Sequence, residues 1–452
     1  MSSKQALRRR TSGAAFRSSL SLECLESRLA LTIPVGGNVT AKLVGSTLLL
    51  TGDALDNALV VATATGGLMA VLGAPGTTIN GTDTTVTSFV TTRAVTSIVA
   101  NLNAGTDLIG FTNNAFGFYN QLTFRGVAVP FNPADLQITI DTATGGISSF
   151  TLSGSLTVTT ASGDDAVGII GTVGGSVAVD LGSSSSTPGP GYGNDFAIGN
   201  PFTTFSVANR IGGSVSVVGG DQRDGIRIIG TDVGGTVSAV LGNGVNFARI
   251  DGYGSTFGSF AYRSGTGDDG VLLLATPLTI RDGVSVSTGP RGEDVVIVTA
   301  TTIGGSVVVN TGTGDGNDRV AVESAIRGRL SVITGAGNDL LYVSAPTIGG
   351  GLAINSGAGD DDVTCSSITV AFNTVIDAGA GNDRVLSSGL TTRSNLFVYL
   401  GAGNDQLELY DARAFAVFLY GGTGSNSLTT NAATRSGIRT LRWFQFQTVN
   451  NI

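Results

Sequence analysis

Five aspartates, Asp318, Asp339, Asp361, Asp383 and Asp405, recur at successive steps of 21, 22, 22 and 22, and each closes a glycine-rich turn. The turns read TGTGDGND, TGAGND, SGAGDD, AGAGND and LGAGND, and Asp269 closes an earlier copy, SGTGDD. Carboxylates at a fixed period are hard oxygen ligands, and the glycines of the same turns let backbone carbonyls approach closely. If the copies stack at the spacing of neighbouring strands, about 4.8 Å, each in-register pair of aspartates repels by roughly 1 kcal/mol in water and by several in a lower dielectric. A hard divalent cation with about six to eight oxygen ligands would offset that cost. Its ligands would be Asp269, Asp318, Asp339, Asp361, Asp383 and Asp405 with the carbonyls of Gly337, Gly359, Gly381 and Gly403. The same residues admit a purely structural use. Asn and Asp side chains would then cap the turn backbone, Asn338, Asn382 and Asn404 would pair along the ladder, and Arg319 and Arg384 would neutralise nearby charge.

The elements that carry these turns follow from the apolar residues beside them. After each turn the apolar positions alternate, with Val320, Leu341, Val363, Val385, Leu407 and Leu428 in one column and Val322, Val343, Cys365 and Leu409 two places on. Before each turn Val309, Val332, Ile354, Ile376, Val398 and Leu419 form a third column, and Val307, Leu330, Leu352, Leu396 and Val417 a fourth. Alternation marks strands, and a period in this range marks a solenoid in which one repeat cannot bury its own apolar face. A third corner recurs at Ile303, Ile326, Ile348 and Val370. The expected fold is all-β, a parallel β-helix (solenoid) with coils of about 22 residues, two full strands and one short one per coil, capped at both ends.

Composition agrees. The chain has 452 residues, 68 of them glycine, 13% charged residues and a mean hydropathy of +0.28. It is too apolar for a disordered chain and too rich in glycine for a compact helical one. There is no histidine, and lysine occurs only at Lys4 and Lys42. Ser-His-Asp and Cys-His nucleophiles and histidine zinc sites are thereby excluded. Lys4, Arg8, Arg9, Arg10, Arg17 and Arg28 against Glu23 and Glu26 give positions 1–28 a charge of +4 and leave −12 on the remainder. The body is thus acidic, and nucleic acid is not the expected partner. No apolar run is long enough for a transmembrane helix. The two cysteines, Cys24 and Cys365, suggest no disulfide framework, and Cys365 falls on an inward column.

In chain order, residues 1–34 form a basic, Arg- and Ser-rich leader expected to be disordered, and 35–150 an N-terminal β-rich module continuous with the solenoid. Within that module Gly105 and Asp107 match the later turn, and the aromatic stretch 114–126 suits a cover over the first coil. Residues 151–430 hold the repeats, with the acidic place at Asp165, Asp195, Asp224, Asn246, Asp269 and Asp294 and a Ser/Pro/Gly insertion at 183–193. In the last copy the next step of the period falls on Ser427, beside Asn426. Residues 431–452, with Trp443, Phe444 and Phe446, form a C-terminal cap read as a plug.

Two resemblances add to this. Leu22, Glu23, Leu25, Glu26, Arg28 and Leu29 in LECLESRLAL resemble the N-terminal leader of large planctomycete surface proteins, which implies export to the cell envelope or beyond. The turns resemble the calcium-binding nonapeptide of RTX proteins in their second and third glycines, aspartate and apolar anchor. The first glycine is replaced by Thr334, Ser356, Ala378 or Leu400. The motif also recurs about every 22 residues instead of every nine. What that resemblance implies is calcium between stacked turns.

The expected function is therefore that of a non-catalytic, exported structural or adhesive element at the cell surface, monomeric, rigidified either by calcium or by side-chain capping of the stacked turns, and contacting a cell-envelope component. A polysaccharide-acting lyase or hydrolase on the same fold is one alternative, and a calcium-dependent module for a glycan or protein ligand another.

Overall fold

Alternating side chains can be buried only if the strands lie over one another, and they do. A computed structural model describes residues 36–74, 76–83, 89–111, 150–183, 193–199, 209–274 and 277–451. The basic leader with Cys24, the aromatic stretch 114–126, and residues 184–192 of the Ser/Pro/Gly insertion, with Tyr192, lie outside the described residues.

One coil shows the plan. Leu330–Ala336 runs along the first sheet, turns at Asp339, and Leu340–Val343 runs along the second. A short third face follows at Ile348, which bridges Ile326 below and Val370 above. The chain then rises to Leu352–Ala358, parallel to and in register with Leu330–Ala336. The four apolar columns anticipated from alternation are realised residue for residue: Val332 pairs with Ile354, Ile354 with Ile376, Leu341 with Val363 and Val363 with Val385. These side chains form one continuous core from Val39 to Leu428. Cys365 is free and fully buried in its column, and burial pushes its thiol up to about 12.

The two ends differ. At the N-terminal end the strand direction reverses: Asn38–Val44 pairs antiparallel with Thr47–Thr51, and Ala58–Thr63 pairs antiparallel with Met69–Gly73. The Asn80 side chain also takes both backbone groups of Ala41, its Oδ1 accepting the N–H at 2.9 Å and its Nδ2 donating to the carbonyl at 3.1 Å, so part of the outermost strand edge is satisfied. At the C-terminal end the segment read as a plug is a further rung. Ile438–Phe444 runs parallel to Ala414–Tyr420, and Thr448–Asn451 parallel to Ser427–Thr430, so Trp443 stands in the column of Leu419. Between them the short helix Ala432–Ser436 is capped by Asn431, whose side chain accepts the N–H of Thr434. Buried Thr434 ties it to the coil below by donating to the carbonyl of Leu409 at 3.1 Å.

Candidate functional site

Every coil turns from the first sheet to the second through the acidic place, and the turn points that side chain inward. Asp339, Asp361, Asp383 and Asp405 are each only 2% exposed, and Asp318 3%. From Asp318 to Asp383 each backbone amide in this column donates to the carboxylate of the next coil. Asp318 N–H reaches Asp339 Oδ1 at 2.8 Å, Asp339 reaches Asp361 at 2.8 Å, Asp361 reaches Asp383 at 3.0 Å and Asp383 reaches Asp405 at 3.0 Å. The ladder extends in both directions beyond the regular repeats. Upstream it runs from Asn57 through Asp107 and Asp165 to Asn194, whose backbone amide donates instead to the carbonyl of Arg223 and whose side-chain Nδ2 reaches Asp224 Oδ1 at 3.0 Å, and it resumes from Asp224 through Asn246, Asp269 and Asp294. Downstream it passes from Asp405 to Asn426 and ends at Gln447, whose Oε1 accepts the Asn426 N–H at 2.6 Å.

The structure thus brings all six expected aspartates into one column. It also corrects two positions: Asn194, not Asp195, occupies the column after Asp165, and Asn426, not Ser427, the final copy. Asp195 and Ser427 each take the next position along the second-sheet strand and are partly exposed. Asn57 and Gln447 escaped sequence reasoning. The first is embedded in GDALDNALVV, which has one glycine and a polar pair but not the Gly-x-Gly spacing of the later turns, and the second follows a stretch, 438–446, with no glycine at all.

One residue earlier a second, exposed ladder runs the opposite way. Asn338 N–H donates to Asn317 Oδ1 of the preceding coil at 2.7 Å, and Asp360 donates to Asn338, Asn382 to Asp360 and Asn404 to Asn382. The capping expected of Asn338, Asn382 and Asn404 is therefore present, with each side chain bonded to a backbone amide. The glycines fit the same stacking: at Gly381 and Gly403 φ is +144° and +146°, and a Cβ at either would fall onto the carbonyl oxygen of the glycine one coil below.

The chemistry lies in the second carboxylate oxygen. In three coils a hydroxyl from the same turn donates to it: Ser264 to Asp269 Oδ2 at 2.6 Å, Thr288 to Asp294 Oδ2 at 2.5 Å, and Thr311 to Asp318 Oδ2. In Asp107, Asp224, Asp339, Asp361, Asp383 and Asp405 the Oδ2 is buried and accepts no hydrogen bond of ordinary geometry, although the Gly220 amide beside Asp224 and the Thr334 and Ser356 hydroxyls beside Asp339 and Asp361 still favour the ionised form. Where asparagine occupies the column, its amide group shows what that place accommodates. Asn246 Nδ2 donates to the carbonyl of Gly242 at 2.9 Å, and Asn426 Nδ2 to that of Gly421 at 2.7 Å. A donor, not a bare negative oxygen, matches the turn carbonyls there. Burial accordingly raises these acids: Asp107 to about 8, Asp224, Asp269, Asp294, Asp318 and Asp383 to about 7, Asp339 and Asp361 to about 6, and Asp405 upward. For Asp383 the neighbouring Asp361 and Asp405 carboxyls add to the rise, opposed by the amide bond from Asp361.

In the coils of Asp339, Asp361, Asp383 and Asp405 a calcium ion would find one inner carboxylate oxygen that accepts no backbone amide, and in those of Asp269, Asp294 and Asp318 that oxygen already accepts a hydroxyl. That is few against the roughly six to eight oxygens calcium takes. Among the described residues no group of three or more His, Cys, Asp or Glu side chains is arranged to hold a metal ion. Elsewhere, a shallow recess of about 310 Å³ on the third face is lined by Arg327 and Arg393 and by no carboxylate. No helix among the described residues is long and apolar enough to cross a membrane. No protein-family model, curated protein or solved structure matches the chain.

Proposed function

We propose that the chain is a non-catalytic structural rod exported to the cell surface, its coils locked by the inner and outer side-chain ladders. The observation that supports this best is the inner ladder from Asn57 to Gln447, carried across Asn194 by its side chain, in which acidic residues serve the backbone of the neighbouring coil. Acidic residues so engaged are not free for acid-base work on a substrate. The alternation of outward residues such as Arg384 with Asp362 and Glu408, at 3.5 and 3.4 Å, adds exposed ion pairs of small worth. Export rests on the leader motif.

The corner acids carry protons in this proposal. A proton on Oδ2 supplies the donor that Asn246 and Asn426 supply by their amides, and it removes the like-charge repulsion without further ligands. Calcium is the competing neutraliser. It would be held by Oδ2 of Asp339, Asp361, Asp383 and Asp405 with turn carbonyls, and it would supply charge compensation alone.

The test is localisation together with product analysis. Antibody labelling of intact cells should detect the chain at the surface, and the purified chain should release neither reducing ends nor unsaturated sugars from polysaccharides. Retention in the cytoplasm would remove the surface role, and sugar release would turn the assignment to an enzyme.

A further inference from the structure

The outward side of the first sheet changes character in its last rungs, while the core beneath does not. One outward column reads Ser331, Ala353, Val375 and then Phe397 and Phe418, with Arg442 on the final rung. Its neighbour reads Ile333, Asn355, Asp377 and then Tyr399, Tyr420 and Phe444. The inward residues between them, Leu396 and Val398, then Val417 and Leu419, continue the ordinary columns. Folding of the repeat is served upstream by aliphatic, small and polar residues at the outward positions, so it does not require rings there.

The rings are ordered against one another. Tyr399 stacks on Tyr420 at 5.0 Å with planes 5° apart, Tyr420 on Phe444 at 5.2 Å and 13°, and Phe397 on Phe418 at 5.2 Å and 11°. Their edges form a ribbed apolar strip along the rod axis with a pitch close to one sugar ring, and the two tyrosines add hydroxyls capable of hydrogen bonding. Cations flank the strip. Arg439 lies 5.6 Å from the centroid of the Phe415 ring, and both Arg439 and Arg442 are exposed. Among the described residues neither forms a salt bridge. Residues 412–452 contain four arginines and no acidic residue, on a chain whose net charge is −8. Asp377, one rung below Tyr399, is followed down the column by Asn355 and Ile333.

We propose that Tyr399, Tyr420 and Phe444, with Phe415, Arg439 and Arg442, form a binding strip for an acidic polysaccharide lying along the last rungs of the first sheet. The apolar C–H faces of a uronic-acid chain suit a rigid aromatic ridge that loses little freedom on binding, and its carboxylates suit the two free guanidinium groups. Below the strip the same two columns hold Val375, Ala353 and Ser331 and Asp377, Asn355 and Ile333, with neither rings nor arginines, which confines the contact to this end. A nucleic acid fits less well, because the stacked rings occupy each other's faces and leave no slot between them for a base. The strip is separate from the corner aspartates and does not depend on their protonation.

The experiment is titration of the full chain with polygalacturonate, with neutral dextran and double-stranded DNA as parallel probes, at low and high salt. Polygalacturonate should bind and dextran should not, and salt should weaken the binding. Arg439→Gln with Arg442→Gln, and separately Tyr399→Ser with Tyr420→Ser, should each weaken it by about tenfold or more. The melting temperature of each variant reports on folding, and the salt dependence of the unaltered chain requires no variant. Absence of polygalacturonate binding, binding unmoved by folded variants, stronger binding of DNA, or self-association abolished by the same substitutions in place of polysaccharide binding would each overturn the assignment.

Discussion

The backbone amide of Asp361 donates to the carboxylate of Asp383, one coil further along, at 3.0 Å, and the residue that accepts it is only 2% exposed. The exposed ladder beside it runs in the other direction, Asn382 N–H donating to Asp360 Oδ1 at 2.7 Å. Two adjacent residues thus tie each coil to both of its neighbours. A turn that would otherwise leave buried amides without partners is satisfied by the side chains of the next copy, so the motif is useful only when repeated.

Stability should depend on pH in an unusual sense. The inner aspartates are raised from 3.8 to about 6 or 7 on folding, so the folded chain holds protons that the unfolded chain releases. Their contribution is fully present below about pH 4, declines as pH rises from about 4 to about 7, and is then lost, at about 1.4 kcal/mol per pH unit for each retained proton. Thermal melting followed by circular dichroism should give a higher melting temperature at pH 5 than at pH 8. A melting temperature that rises over that interval would contradict protonation.

Asp361→Asn should be tolerated, because asparagine already fills the column at Asn246 and Asn426 with its Oδ1 accepting the amide and its Nδ2 donating to a turn carbonyl. Above pH 7 this variant is expected to be at least as stable as the parent chain and to show a shallower pH dependence. Asp361→Ala leaves the amide of Asp339 without its acceptor and should cost about 1–3 kcal/mol. Chemical denaturation of the two variants side by side checks the contrast.

Gly381→Ala tests the stacking itself. The residue has φ +144°, and a methyl group there would meet the carbonyl of Gly359. A loss of about 1–3 kcal/mol is expected from strain and displacement of the coil. Ala380→Ser, at an exposed neighbouring position, serves as the control and should change stability by less than about 0.5 kcal/mol.

Removal of divalent ions should leave melting unchanged. With Oδ1 of each inner aspartate already engaged, a chelator has little to extract. A calcium-dependent rise in melting temperature, which mass action requires of any ion bound only by the folded state, would transfer the neutralising role from protons to calcium.

Much of this was legible in the sequence because both the strand alternation and the period of the turns are strict between Asp339 and Asp405. Val332, Ile354 and Ile376 could be assigned to one column by counting alone. Counting fails where coils change length. The step from Asp165 to Asn194 crosses an insertion, and two adjacent polar residues compete for the place. Nor does a one-dimensional period reveal direction, so neither the opposed inner and outer ladders nor the donor requirement at Oδ2 could be read from GND. The aromatic strip was hidden for a different reason: in AFAVFLY apolar residues occupy both faces of the strand, and alternation no longer separates core from surface.

The most direct test of the central claim is infrared spectroscopy of the carboxyl C=O stretch at about pH 5.5. Protonated corners predict a carboxylic-acid band that persists at about pH 5.5, where ordinary aspartates are almost wholly ionised, and that loses intensity in Asp361→Asn and Asp383→Asn. A folded chain showing carboxylate bands alone at that pH would contradict a protonated ladder.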